Sequence, residues 1–471
     1  MEAQLLELLW QKHEEGETCV LLTCESSLPS CPANARHESR ICAECLRRSS
    51  RTSQFLLPPD TKVLKLGLPA GPIQRSEVLG LRTIQDLAGL TWGSMPVGEL
   101  VLNQLSDDIS DTTEELRSLN KEARILSNLA INLYERAKQV IVKESISRVY
   151  VWNGRRPSDG PLLYAAKDCG LEYFAYHWNA GDALHVLPAL KVQSISAQNS
   201  QLARAKNQFV EGDVRLLDGH QFYEHQRFGS PQLRHLPRFG AQNAEVFEAN
   251  STKPIVAMFV STPSEYASMA DRVHPCKVFN DPFDFIRRIN DDEEIQSNKE
   301  FVVRWHPNMR FSGPTTQAKI QETVRATPSI KHILPDSKIS SYALLEQAEA
   351  ILTSGSTIGV EALYWGVPSI LAGRAYYEEL DSITKPADWV ELKELLLKSR
   401  YQSASQHDAL VYAHHFLVGN TPISRAELES HQVGKFMGVD LTWPSLGVRL
   451  RRMLSSLSVT GQRRRRSTTS P

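Results

Sequence analysis

The stretch Ala350-Ile351-Leu352-Thr353-Ser354-Gly355-Ser356-Thr357-Ile358-Gly359-Val360-Glu361-Ala362, followed by Gly366-Val367-Pro368, decides the fold class. Residues 350–353 read as a buried strand. Small hydroxyl-bearing residues then turn the chain. An apolar pattern at helical spacing runs over residues 358–365 until Gly366 stops it, and residues 368–372 (PSILA) read as the next strand. A strand, a tight turn, a helix and another strand make the βαβ unit of an α/β domain with a parallel sheet.

At such a turn the first helical N–H groups have no carbonyl to reach, and the helix dipole adds partial positive charge. Gly355 lets a ligand approach the backbone, and Ser354, Ser356 and Thr357 offer hydroxyl donors. Together they suit a phosphate. Glu361, one turn into the helix, falls within reach of a ribose carried by that phosphate. An ordinary helix cap by Ser356 or Thr357 uses the same residues and needs no ligand.

The same alternation continues outward. Strands are expected at residues 254–260 (PIVAMFV), 301–305 (FVVRW) and 331–334, and helices at 281–290, 340–348 and 387–418. This predicts a doubly wound domain over residues 251–385, with C-terminal helices over 386–454. His306-Pro307 ends the 301–305 strand. Pro307 fixes the exit direction, and the His306 imidazole can donate to a phosphate oxygen of a leaving nucleotide. Ser261, in Phe259-Val260-Ser261-Thr262-Pro263-Ser264-Glu265, ends a third strand in hydroxyl residues. Three polar strand ends on one edge outline a nucleotide cleft; a capping-box-like cap is the competing reading of the third.

Residues 1–250 form the expected acceptor-side domain. Residues 1–15 show an amphipathic helical pattern (Leu5, Leu6, Leu8, Leu9, Trp10) without the basic start and cleavage site of a signal peptide. A strand at 17–23 precedes a cysteine-rich loop at 24–45. Leu116, Leu119, Ala123, Leu126, Leu129 and Leu133 predict a long helix or helix pair within 107–144, capped by Ser110, Asp111 or Thr112. A strand at 148–152 stops at Asn153-Gly154-Arg155-Arg156. A helix at 161–169 and a strand at 172–176 follow, a second β–α–β order that predicts a second parallel sheet. Asn153 and Arg155 are candidate substrate-binding residues. Gly154 permits the sharp turn, and Arg155 and Arg156 can face an anionic substrate or the donor's phosphates. The candidate general bases for an acceptor hydroxyl are Asp182 first, then His177 and Asp159; each also reads as an ordinary polar loop residue. Residues 211–253 read as loop-rich.

The 471 residues, 41% of them hydrophobic, can fill two cores. A net charge of -1 gives no global field for nucleic acid. No apolar run reaches the roughly 18 residues of a membrane span, so a cytoplasmic protein is expected. There its seven cysteines read as thiols or metal ligands rather than disulfides. Cys24, Cys31, Cys42 and Cys45 are a candidate structural zinc site built on Cys42-x-x-Cys45. The wide spacing of the first pair favours free thiols instead. Cys169 and Cys276 read as isolated thiols. Arg463, Arg464, Arg465 and Arg466 lie in a tail expected to be disordered from residue 455, where they can hold the chain near anionic lipid or stay solvated.

Val149-Tyr150-Val151-Trp152-Asn153-Gly154-Arg155, Arg304-Trp305-His306-Pro307-Asn308 and the run from Ser354 to Pro368 resemble the capsule and surface-polysaccharide biosynthesis transferases of GT-B type. These are similar to capsular Kdo transferases, bacterial sialyltransferases and CDP-glycerol glycerophosphotransferases. The likeness spans roughly residues 17–380. It implies two Rossmann-like, doubly wound domains facing across a cleft. It implies a nucleotide-sugar donor, CMP- or CDP-linked favoured, held by the second domain with His306, Ser354, Ser356 and Thr357 around its phosphate. The first domain would bind a glycan or lipid-linked glycan acceptor and supply the base, and transfer would need no metal. Where related chains carry Glu-Arg-Gly, this one has His177-Trp178-Asn179. The implied function is a glycosyltransferase of surface or capsular polysaccharide, cytoplasmic or peripheral at the inner face of the plasma membrane. Two other readings compete. A GT-B-fold nucleotide-sugar epimerase or hydrolase would turn over without acceptor. A non-catalytic carbohydrate-assembly protein would bind nucleotide-sugar and release no nucleotide.

Overall fold

The structure, a computed structural model, describes residues 3–31, 33–34, 36–68, 75–109, 121–178, 183–229, 247, 252–262, 278, 281–418, 421–429 and 432–441. Asp182, Cys276, Arg463 to Arg466, the 110–112 cap and the segment after Thr262 lie outside these residues.

The second half is a six-stranded parallel sheet of β6 (Ile255–Val260), β7 (Glu300–Trp305), β8 (Lys331–Ile333), β9 (Ala348–Thr353), β10 (Ser369–Leu371) and β11 (Ile383–Thr384), with strand order β11-β10-β9-β6-β7-β8. From β6 the chain winds outward to β8, then returns to the other side of β6 at β9. The break between β6 and β9 is the topological switch point of a doubly wound sheet, the crevice where such folds take ligands.

Every side chain of β6 is buried. Val256, Met258 and Val260 enter one core with Phe283, Phe301, Val303, Trp305 and Leu352. Ala257 and Phe259 enter the opposite core with Val302, Ile351, Ile358 and Ala362. A strand buried on both faces reads as a continuous apolar run, and this explains PIVAMFV.

The first half carries a four-stranded mixed sheet in the order β12-β5-β4-β3. β3 (Arg148–Trp152) and β4 (Glu172–Trp178) are parallel, joined by helix α5 (Gly160–Asp168), while β5 (Ala183–Leu187) returns antiparallel to β4. A separate two-stranded sheet pairs β1 (Val20–Thr23) with β2 (Lys62–Lys65). Helices α3 (Val97–Ile109) and α4 (Lys121–Lys143) build the core behind α5, through Leu100, Leu105, Leu126, Leu129, Ala165 and Ala166.

Several sequence expectations need correction. Residues 39–55 form helix α2 (Ser39–Phe55), so Cys42 and Cys45 sit on a helix rather than in a loop. Helix α6 (Ile195–Lys206) was not anticipated, and α7 (Leu217–Phe228) occupies part of the stretch expected to be loop-rich. Among the described residues, the C-terminal region is helical over α9 (Trp389–Lys398) and α10 (Gln406–Val418). It then becomes β12 (Thr421–Pro422), which pairs with β5 in the first-half sheet, and a small antiparallel sheet of β13 (Ala426–Glu429), β14 (Gln432–Phe436) and β15 (Val439–Asp440).

This return closes the molecule. α6, α7 and α10 share one core with α8 (Ile358–Tyr364), through Leu202, Tyr223, Leu363, Tyr377 and Val411. Glu7 of helix α1 (Ala3–Glu14), fully buried, pairs with Arg425 at 2.6 Å and accepts its backbone N–H at 3.0 Å. The amphipathic start is thus a core helix that clasps the far end of the chain. Among the described residues no helix is long and apolar enough to cross a membrane.

Candidate functional site

β6 and β9 are neighbours with Phe259 opposite Thr353. Ser261 and Ser354 therefore lie just past two adjacent strand ends, and both are buried. Thr353 organises the turn. Its Oγ1 donates to the Phe259 carbonyl at 3.1 Å and accepts from the N–H groups of Gly355 at 3.1 Å and Ser356 at 2.8 Å. Two backbone donors expected for a phosphate are thus engaged by Thr353. Gly359, Val360 and Glu361 bond back to Ser356 and Thr357, which leaves the N–H groups of Thr357 and Ile358 with no carbonyl inside the helix.

The ordinary-cap reading is not what the turn does either. Thr357 stands at the cap position with helical angles and makes no side-chain cap bond; its hydroxyl donates to Glu361 Oε1 at 3.3 Å. Gly355 takes φ 150°, and Ser354 Oγ is buried without a partner. Ser356 is half-buried, and its carbonyl accepts from Tyr377 Oη at 2.6 Å. Glu361 is buried, with Tyr342 Oη donating to Oε2 at 2.5 Å. Burial pushes its carboxyl above the usual carboxylate range. A ribose reaching Glu361 would meet a carboxylate already bonded on both oxygens.

His306 ends β7 on the same edge and is half-buried. Its Nδ1 accepts from the Asn308 N–H at 3.1 Å. A backbone N–H can only donate, so the neutral ring carries its proton on Nε2. That is the tautomer a donor to a phosphate oxygen needs.

The first-half edge is built around the turn after β3. Asn153 has φ 67° and Gly154 φ 85°. A side chain at Gly154 would stand 2.3 Å from the Leu190 carbonyl oxygen, so the position demands glycine on both counts. Asn153 donates its N–H to Tyr176 O and accepts from Val192 N. Arg155 and Arg156 both reach Asp107 Oδ2, at 2.7 and 3.0 Å. Asp159 is buried at the start of α5, and its Oδ1 accepts from the Arg156 N–H at 2.9 Å. Burial pushes its carboxyl up to about 7, against the opposing pull of the Arg156 N–H and guanidinium.

His177 and His185 are directly opposite across β4 and β5, with rings 5.3 Å apart. Burial, aided by His185, pushes His177 down to about 3. This imidazole stays neutral and accepts a proton poorly, which counts against it as a base.

Helix α6 joins the two edges. Gln198 Nε2 donates to His177 Nε2 at 3.3 Å and to Val192 O at 3.0 Å. The next residue, Asn199, donates to Ala375 O at 2.8 Å. Ala375 follows Gly373, where a Cβ would stand 1.9 Å from the Ser354 carbonyl oxygen. Adjacent residues of one helix thus hold His177 on one side and the loop that wraps Ser354 on the other.

Gln198, Asn199, Thr353, Gly373 and Tyr377 position the candidate residues; sequence reading included Thr353 in the motif without its positioning role and missed the other four. Gly373, just after PSILA, carried a local signal. Asp107, 48 positions from Arg155, carried none.

The candidate metal cysteines form no disulfide. Asn34 Nδ2 donates to Cys42 Sγ at 3.2 Å, and burial pushes the Cys31 thiol up. Among the described residues, no group of three or more His, Cys, Asp or Glu side chains is arranged to hold a metal ion.

No family model matches the chain, and no curated protein matches it. Solved structures do. Thermosulfurimonas dismutans KpsC, beta Kdo 2,7 transferase, is 13% identical with a TM-score of 0.36, over 59% of this chain and 80% of that one. The beta Kdo 2,4 transferase of the same organism's KpsC is 14% identical with a TM-score of 0.38, over 57% and 80%. The UDP-GlcNAc 2-epimerase of Methanocaldococcus jannaschii, in complex with UDP-GlcNAc and UDP, is 15% identical with a TM-score of 0.27, over 62% and 80%. The α/β architecture given above rests on this chain's own sheets.

Proposed function

We propose that this chain is a glycosyltransferase that moves a sugar from a nucleotide-activated donor to a growing surface polysaccharide. The observation that carries the reading is the switch point between β6 and β9. There Ser261 and Ser354 each lie just past the end of one of two adjacent strands, and the Ser354 hydroxyl is buried without a partner. An unpaired buried hydroxyl at a ligand crevice is accounted for by a group that arrives there. The motifs around His306 and Ser354 favour a cytidine nucleotide, by their resemblance to CMP- and CDP-using transferases.

In this reading the donor phosphate meets Ser354, Ser356, Thr357 and the Nε2–H of His306, while the ribose displaces Thr357 from Glu361. The acceptor lies along the first-half edge, against Asn153 and Arg155. Asp159 is the favoured base among the described residues, because a carboxyl near 7 matches the working pH. Asp182 remains a candidate. The acceptor hydroxyl gives its proton to the carboxylate and attacks the anomeric carbon. The carbon–oxygen bond to the phosphate breaks, and the phosphate leaves with its charge met by His306 and the hydroxyls. A structural zinc at the four cysteines and membrane contact through Arg463 to Arg466 are separate proposals. Metal analysis of the purified chain and vesicle sedimentation test them.

The test is release of nucleotide from CMP- and CDP-sugars, with and without a glycan acceptor. Release that depends on acceptor, and that falls about a hundredfold or more in Asp159→Asn, is the expected result. Consumption that is equal without acceptor points instead to an epimerase or hydrolase. Binding without turnover points to the carbohydrate-assembly protein.

A further inference from the structure

We infer that the turn after β3 is an oxyanion subsite and that its occupant is the acidic group of the acceptor sugar. The second clause rests on the transferase reading above; the first does not.

Two guanidiniums meet one carboxylate in this turn. Arg155 and Arg156 converge on a single oxygen of Asp107, and neither makes another ion pair among the described residues. Their side chains are 15% and 21% exposed, so both remain reachable from solvent. The turn also opens α5, a nine-residue helix whose N-terminus adds partial positive charge.

Five side-chain atoms of the turn and its cover are buried with no hydrogen-bond partner: Asn153 Oδ1, Arg155 Nε, Arg156 Nε, Ser158 Oγ and Gln193 Oε1. Native structures leave few such atoms, and five in one corner call for an explanation. Arg155 Nε and Arg156 Nε can only donate, and the Ser158 hydroxyl can donate as well. Asn153 Oδ1 and Gln193 Oε1 can only accept. The two guanidiniums, each with a spare Nε–H, and the Ser158 hydroxyl suit a carboxylate or phosphate. The two acceptors suit hydroxyl groups beside it. An acidic sugar supplies both, whereas a neutral hexose brings no negative charge to the two guanidiniums. Asp159, buried beside these arginines, carries less than a full negative charge near neutral pH, so it does not cancel the excess.

The donor's own phosphate is the rival occupant, and a carboxylate and a phosphate are two sources of the same chemistry. Thermal unfolding of the full chain separates them. It is followed in concentration series of D-glucuronate, D-glucose 6-phosphate and D-glucose at matched ionic strength, with CMP and CDP measured in parallel.

The expected result is stabilisation by glucuronate and none by glucose. Arg155→Gln/Arg156→Gln should weaken the apparent glucuronate affinity about tenfold, since charge-assisted bonds are lost, while the nucleotide response stays. Asp107→Asn frees both guanidiniums and should enlarge the glucuronate response. A stronger response to glucose 6-phosphate supports the subsite and identifies a phosphosugar as its source. Equal responses to glucuronate and glucose overturn the subsite, as does an arginine variant or Asp107→Asn that responds like wild type. Loss of the nucleotide response in the arginine variant overturns the acceptor assignment. A glucuronate response in a wild-type chain that ignores every nucleotide leaves the subsite standing and removes only the transferase reading.

Discussion

The two sheets of this molecule solve the same problem differently. The second-half sheet has six parallel strands with buried cores on both faces, and each crossover is local in sequence. The first-half sheet has four strands. It reverses direction at β5 and borrows its last strand from residues 421–422, more than two hundred positions away. The six-stranded sheet offers a switch-point crevice formed by its own topology. The smaller sheet offers an edge whose polar turn is held by Asp107 on α3 and whose His177 is held by Gln198 on α6. A site made by topology draws most of its bonds from its own half, with Asn199 of α6 as a cross-tie to the loop over Ser354. A site made by distant supports depends on the closure of the whole chain.

The sharpest way to break this comparison uses one glycine from each edge. A Cβ at Gly373 would overlap the Ser354 carbonyl, and one at Gly154 would overlap the Leu190 carbonyl. Each alanine variant should lose about 3 kcal/mol or more, since backbone atoms must shift. Chemical denaturation measures the loss. Gly373→Ala should also abolish the nucleotide response, whereas Gly154→Ala should keep it. Loss of that response in both would show that the two edges form one cooperative site.

Next in size is the clasp between the chain ends. Arg425→Ala leaves the fully buried Glu7 without its charge partner, and should cost about 2–3 kcal/mol. If the first-half edge depends on chain closure, the same variant should weaken acceptor binding and spare nucleotide binding.

Asp159 gives a pH-dependent test. Its carboxyl is raised from 3.8 to about 7 in the folded chain. Between those values the native state holds a proton that the unfolded state has shed, so this group's contribution to stability falls as pH rises. Asp159→Asn removes the effect. Its stability relative to wild type should therefore climb between pH 4 and 7, by about 3 kcal/mol, and level off above pH ~8. A flat difference across that window would mean that burial does not raise this carboxyl.

The smallest effect on stability belongs to Ser354→Ala. The hydroxyl has no partner to lose, so the melting temperature should stay level or rise slightly. Nucleotide affinity should fall about five- to tenfold, one lost hydrogen bond's worth.

How much was legible follows the same division. PIVAMFV and AILT could be read because both-face burial leaves apolar runs; FVVRW could be read although the buried Arg304 interrupts it, its Nη1 donating to Leu334 O at 2.6 Å. Asn153-Gly154 was legible for its conformation, since only a few residues accept positive φ. The hairpin strand β5 was missed because Ala183-Leu184-His185-Val186-Leu187 interrupts its apolar run with a histidine that packs inward, its Nε2 donating to Phe416 O. β12 was missed because two residues carry no periodicity, and their partner strand lies far away in sequence. At the site, the turn's residues were legible but their bonding was not. Ser354, Gly355, Ser356 and Thr357 read as four phosphate donors, yet Thr353 engages two of the N–H groups and Glu361 one hydroxyl.

The most direct test of the central claim is a nucleotide titration followed by thermal unfolding, using CMP, CDP, UDP, GDP and ADP against wild type, His306→Ala and Ser356→Ala. A nucleotide at one hundred times its dissociation constant should add about 2.7 kcal/mol. A cytidine nucleotide should give a rise that both variants lose. No rise with any of the five, or a rise that both variants keep in full, would contradict a donor site at the β6–β9 crevice.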